Sequence, residues 1–226
     1  MGYTYTTFKT AIAAELAVPE SNADFVALLP TFIDDSEQRI YRELDLLTAS
    51  VTTTGTVTAN QRSFTLPTTN GHVLVVDGIN ILDSSSVRHP VTPATRSVVD
   101  VLWPSDTASG ATVIPKLFAR TDDTTVYFGP PPGDNWSCEV IHTIRPTALS
   151  AGNATTFLSQ YLSDLFFAGA MVSASGFMRN FGAQADDPKM AVSWESLFQT
   201  RLASAQKEEL RKQFVTALSL PIPGGA

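Results

Sequence analysis

Four pairs of neighbouring carboxylates, Asp34-Asp35, Asp122-Asp123, Asp186-Asp187 and Glu208-Glu209, are the groups in this chain best suited to acid–base chemistry. Two carboxylates share a proton or a substrate only when both face one point. Neighbours on a helix diverge by about 100° around its axis, and neighbours on a strand face opposite sides. The pairs therefore read as solvated helix ends and turns. His72, His89 and His142 are isolated in sequence, without the close pairing of zinc-ligand motifs. Cys138, the single cysteine, alternates with Val140 and reads as a small core hydrophobe, not a nucleophile. One thiol closes no intrachain disulfide, which fits a reducing compartment. Phosphate-cradling glycine loops, zinc-protease helices and nucleophile elbows are missing from the sequence. The expectation is a protein that is not an enzyme, with no catalytic residues, no cofactor and no metal.

The elements that would carry these residues come from a chain of 226 residues, 43% hydrophobic and only 16% charged. That is enough apolar material for a core, in one domain or one domain with a large insertion. The low charge leaves much surface unguarded by solvating groups and points to burial in an assembly. With 15 basic and 22 acidic residues the net charge is −7, which argues against a protein that grips nucleic-acid phosphates. Lys9 and Glu15 interrupt residues 1–18, so no signal peptide is expected there. Residues 165–178 are the most apolar stretch, but a bilayer needs about 20 such residues, so they read as a core helix and no membrane is expected.

Phe8, Ile12 and Leu16 recur every four residues and predict a first helix, with Thr6 or Thr7 as cap and Pro19 as stop. A second helix is expected from about Leu28, with Pro30 in its first turn. Its stripe is Phe32, Ser36, Ile40, Leu44 and Leu47; Asp34, Asp35, Glu37, Arg39 and Arg42 take the other faces. At Thr48 the hydrophobic period drops from about 3.6 to 2. Strands are expected at residues 51–57, 62–66, 73–82, 116–120, 125–128 and 137–144. A short helix is expected over residues 92–103, capped by Thr92 with Pro93 first. Helical period returns after Ser150, with one apolar helix over residues 156–178. A last helix from Asp187-Pro188 carries the stripe Trp194, Leu197, Phe198, Leu202, Ala205 and Leu210.

The reading is α+β. The two chain ends, residues 1–47 and 151–213, are expected to form an α-helical bundle. Residues 48–150 are a β-rich insertion, a β-sandwich or small barrel, and residues 214–226 an extended arm. The arm carries Phe214, Val215, Leu218, Leu220 and Ile222, with Pro221 and Pro223 barring helix continuation. A segment that merely frays is normally polar. Five large apolar side chains here suggest either folding back on the monomer or adding to a neighbouring protein's surface.

The layout and several short stretches resemble the head-to-tail adaptor proteins of tailed bacteriophages, the tail tubular protein A-like proteins. The stretches are residues 29–44 with their acidic cluster and Arg39-Ile40 pair, the Thr92-Pro93 helix, the hairpin leading to Tyr127-Phe-Gly-Pro-Pro-Pro132, and Ile144-Arg-Pro-Thr-Ala-Leu-Ser150. The apolar helix from Tyr161 and the amphipathic one around Trp194 complete an order that spans nearly the whole chain. Residues 51–60 and 105–111 are longer Ser/Thr-rich loops than the pattern has. The resemblance implies a structural virion protein at the phage neck, assembled in the host cytoplasm. It implies a homo-oligomeric ring, a dodecamer, between the portal protein and the tail nozzle or next tail component. DNA would pass through its channel without tight binding. The arm, Phe214, Val215, Leu218, Leu220, Pro221, Ile222 and Pro223, would engage the portal. Some family members carry a separate muralytic activity, for which no residues stand out here. Two alternatives are a small hydrolase of unknown mechanism and a carbohydrate-binding tail protein, the latter suggested by the Thr-rich β part and Trp136.

Overall fold

In the computed structural model, which describes residues 2–177 and 188–218, the elements run α1 (Tyr5–Glu15), α2 (Ala23–Glu43), β1 (Ser50–Val57), β2 (Ser63–Thr65), β3 (His72–Leu82), β4 (Arg88–Pro93) and α3 (Arg96–Leu102). They continue as β5 (Leu117–Arg120), β6 (Thr125–Gly129), β7 (Trp136–Arg145), α4 (Phe157–Tyr161), α5 (Ser163–Phe177) and α6 (Pro188–Leu218). The chain divides into two compact units, Met1–Thr48 with Thr147–Ala226, and Ala49–Pro146. The fold is mixed α+β, as expected.

In the helical unit the caps depart from expectation. The cap of α1 is Thr4, not Thr6 or Thr7: Thr4 Oγ1 accepts from Thr7 N at 3.3 Å, and Thr7 Oγ1 from Thr4 N at 2.8 Å. Helix α2 begins more than a turn before Leu28, because Asn22 Oδ1 caps it by accepting from Phe25 N. Pro30 thus lies inside α2 at the loss of one backbone donor, offset by burial of Phe25 and Leu29. Helix α5 packs against both α2 and α6. Ser36 Oγ donates to Phe166 O at 2.9 Å across the α2–α5 seam, and Phe8 stacks on Phe166 at 4.5 Å. A Cβ on Gly169 would stand 2.3 Å from Ser36 Oγ, so glycine sets the approach of these helices. The expected single helix over residues 156–178 is two. Thr156 caps α4, then Leu162 leaves helical geometry (φ −119, ψ 37) with its side chain buried, and α5 starts anew with Asp164 in its first turn. Met178 and Asp187 lie outside the described residues.

The β unit is one seven-stranded sheet in the order β1-β7-β3-β4-β5-β6-β2. All neighbours are antiparallel except β4 and β5, which are parallel and joined through α3. β1 and β2 end the strand order, yet a Cβ on Gly55 would lie 2.8 Å from the Phe64 ring. The sheet therefore curls until its ends nearly meet, a barrel-like form. Phe64, Ile79, Ile81, Phe128, Cys138 and Val140 fill its core. The helix expected over residues 92–103 starts late. Thr92 and Pro93 are strand, paired with Leu117 and Phe118, and α3 begins at Arg96. The parallel ladder takes its donors from Thr92 N and Ala94 N, so proline falls where no donor is needed.

Candidate functional site

Among the described residues the acidic pairs do not converge. Asp34 and Asp35 are exposed on α2, and Asp34 accepts from Gln38 on its own helix. Asp122 builds the β5–β6 turn by accepting from Thr124 N and Oγ1, bonds that hold its carboxyl below the usual range. Asp186 and Asp187 lie outside the described residues. Glu208 is exposed, whereas Glu209 is buried, accepting from Leu47 N at 3.2 Å and from Lys212 Nζ at 2.6 Å.

The histidines sit on separate strands. His72 opens β3 exposed, and His89 Nε2 lies 2.9 Å from Asp83 Oδ2 in the β3–β4 hairpin. His142 is buried, with Nδ1 turned to Val140 O. Among the described residues no three His, Cys, Asp or Glu side chains gather to hold a metal ion. Cys138 is fully buried, and desolvation pushes its thiol up to about 11. Trp136 packs partly against the core and donates its ring N–H to Val113 O.

Two features escaped the sequence reading. Glu37, assigned to an outer face of α2, is only 3% exposed and accepts from Leu149 N at 3.1 Å. Burial, the chief cause, together with Asp34 raises its carboxyl to about 7. Its spacing of four after Ile33 and three before Ile40 puts it on the apolar stripe, a signal the sequence held. Arg39 makes a bidentate pair with Glu195, at 2.7 and 2.6 Å, that ties α2 to α6. Only the folded chain brings those distant residues together.

The C-terminal half of α6 exposes an apolar surface. Leu210 and Phe214, one turn apart, are 63% and 64% exposed, and Leu47, held to Glu209 by its backbone, is 41% exposed. The sequence pattern predicts Leu210 on the buried stripe, but the helix turns Glu209 inward instead and Leu210 faces out. A cleft of about 280 Å³ lies between the end of α2 and α6, lined by Leu44, Asp45, Glu209, Leu210 and Gln213. Of the expected extended arm, residues 214–218 belong to α6, which runs as helix to Leu218. The side chains of Val215 and Leu218, and all of Leu220, Pro221, Ile222 and Pro223, lie outside the described residues.

No helix among the described residues is long and apolar enough to cross a membrane. A comparison with curated proteins finds no match. Residues 3–218 match the family described as SU10 adaptor protein, which is nearly the whole chain. Such adaptors are structural proteins of the phage neck that meet portal and tail components. The chain belongs to this family of bacteriophage head-to-tail adaptors.

Proposed function

We propose that the chain closes into a ring, typically of about twelve copies, between the portal and the next tail component, leaving a central channel for DNA during packaging and ejection. The observation that carries this reading is the family match over residues 3–218. The helical segments from the two chain ends, residues 1–47 and 151–213, form the ring-building bundle, and residues 48–150 serve as an inserted module. Side-to-side contacts of a closed ring bury much surface per copy, which suits a chain with 16% charged residues.

The end of α6 together with residues 219–226 engages the portal. Leu210 and Phe214 are exposed there, and Leu220 and Ile222 follow in sequence. Burying each such side chain stabilises a joint by about 1–2 kcal/mol, too little singly but enough when repeated around a ring. The test mixes the protein with its portal and reads assembly by mass photometry and electron microscopy. Ring-on-portal complexes are the expected result. Leu210→Asp with Phe214→Asp should fold normally, since both sites are exposed, and weaken portal association at least tenfold. Deletion of residues 219–226, which leaves α6 whole, should weaken it as well. Undiminished assembly by both variants would end the portal-arm reading, and persistent monomers with no portal binding by the parent chain would end the ring.

A further inference from the structure

Strand β3 is paired with β7 along its length, but with β4 only over residues 79–82. Beyond Val91, β4 turns away to β5. The sheet forks at this point, and residues 73–78 of β3 face the gap with no strand paired on that side. The carbonyls of Val73 and Leu74 accept instead from the guanidinium of Arg120, which also holds the carbonyls of Asp122 and Asp123. One end of the gap is thereby closed by a side chain. The rest is a cleft of about 560 Å³ with Leu74, Val75 and Val76 on one wall and Pro93 and Phe118 opposite. Val75 is 53% exposed beside a free sheet edge.

Charge narrows what can enter. Among the described residues, Arg96 and Arg120 are the only charged ones lining the cleft, in a chain whose net charge is −7. Arg96 stacks over Tyr127 at 4.5 Å, which holds the guanidinium in place. Its carboxylate neighbour among the described residues, Asp100 at 3.3 Å, is half exposed, so that pair contributes little and can yield to a stronger partner.

We propose that this fork is a docking site for an extended segment of a partner protein. The segment adds as a short strand to residues 75–78, lays an apolar side chain against Val75 and Phe118, and sets a carboxylate on Arg96. The site lies wholly within the β unit. Irregularities in the β3–β7 register, between Val73 and Val75 and between Val76 and Gly78, limit the regular edge to a few residues. Single-copy affinity is therefore expected in the micromolar range, with repetition around a ring supplying the rest.

The experiment uses the full chain and a fluorescent peptide of alternating valine and threonine carrying one glutamate, read by anisotropy and by hydrogen exchange. Saturable binding with slowed exchange in residues 73–78 and 116–120 is the expected result. Replacing the glutamate by lysine should weaken binding at least tenfold, and Arg96→Glu should invert that preference. Val75→Asp should also weaken the acidic peptide at least tenfold; both variant sites are exposed, and unchanged thermal melting would verify folding. Equal binding by a peptide with alternate backbone nitrogens methylated would exclude strand addition and overturn the proposal. So would an acid-to-lysine ratio unmoved by Arg96→Glu, or no saturable binding up to about 1 mM. Self-association abolished by Val75→Asp without any peptide effect would give the edge to a second copy of the chain and overturn it too.

Discussion

Glu37 is a buried carboxylate on α2, where the sequence reading assigns it to an outer face. Its folded pKa of about 7 lies above the ordinary 4.5, with desolvation as the main cause. Between these values the folded state keeps a proton that the unfolded chain releases. Stability is therefore highest at and below about pH 4.5 as far as this group is concerned, falls as pH rises through 7, and stays reduced above. Glu37→Gln keeps an oxygen for Leu149 N and removes the buried charge. It should raise stability by about 1–3 kcal/mol at pH 8 and by little at pH 5, measured by urea denaturation at both. Greater gain at pH 5 than at pH 8 would contradict this account. Arg39 and Glu195 run the other way. Arg39 holds the Glu195 carboxyl near 2, so their attraction is present above the ordinary carboxylate range and lost as pH falls through 2. Both side chains are 30–40% exposed, and Arg39→Met should cost only about 0.5–1 kcal/mol at neutral pH in the same assay.

At the scale of elements, two close fits decide the packing. Gly169 lets α5 approach α2, and the nearest atom, Ser36 Oγ, is itself bonded to Phe166 O. Gly169→Val forces the helices apart or breaks that bond, and a loss of about 2–4 kcal/mol is expected in thermal unfolding. An unchanged melting temperature would show that the seam is looser than its geometry. In the β unit, the β4–β5 ladder draws on Thr92 N and Ala94 N but not on residue 93. Pro93→Ala should change stability by less than about 0.5 kcal/mol, while Ala94→Pro, which removes the donor to Phe118 O, should cost about 1–3 kcal/mol. The sequence signal at Thr92-Pro93 was ambiguous for a physical reason. A proline fits the first turn of a helix and an unbonded strand position equally well, and only the neighbouring strand chooses between them.

For the molecule as a whole, charge governs the expected handling of DNA. Twelve copies at −7 would carry about −84 in a ring, and such a surface releases few counterions to phosphates. Gel shifts with the isolated protein at low salt should show no binding above non-specific background. Tight binding there would sink the picture of DNA sliding through without being held. Phe198→Asp addresses the helical core. Phe198 is fully buried beneath the Arg39 guanidinium, 4.1 Å from its ring centre, so a carboxylate there should abolish cooperative folding. A soluble, cooperatively unfolding Phe198→Asp protein would show that α6 is not part of this core.

Hydrophobic period alone located most elements, because a stripe at 3.6 or 2 residues is a local consequence of one face being buried. The α+β class, the change of period at Thr48 and the hairpin of β5 and β6 were legible in this way. So was the fate of Cys138, which alternates with Val140 into the core. Local chemistry did not decide the starts of α1, α2 and α3. Several Thr, Asn and Pro residues can begin a helix, and neighbouring packing selects one. Leu162 breaks an apolar run that carries no proline in its sequence, and Glu209 turns inward in place of Leu210 because Leu47 N and Lys212 await it there. The curling of the sheet, its fork at β4 and the union of Arg39 with Glu195 come from residues far apart in the chain. No local pattern carries their separation in space, since distance between such residues exists only once the chain has folded.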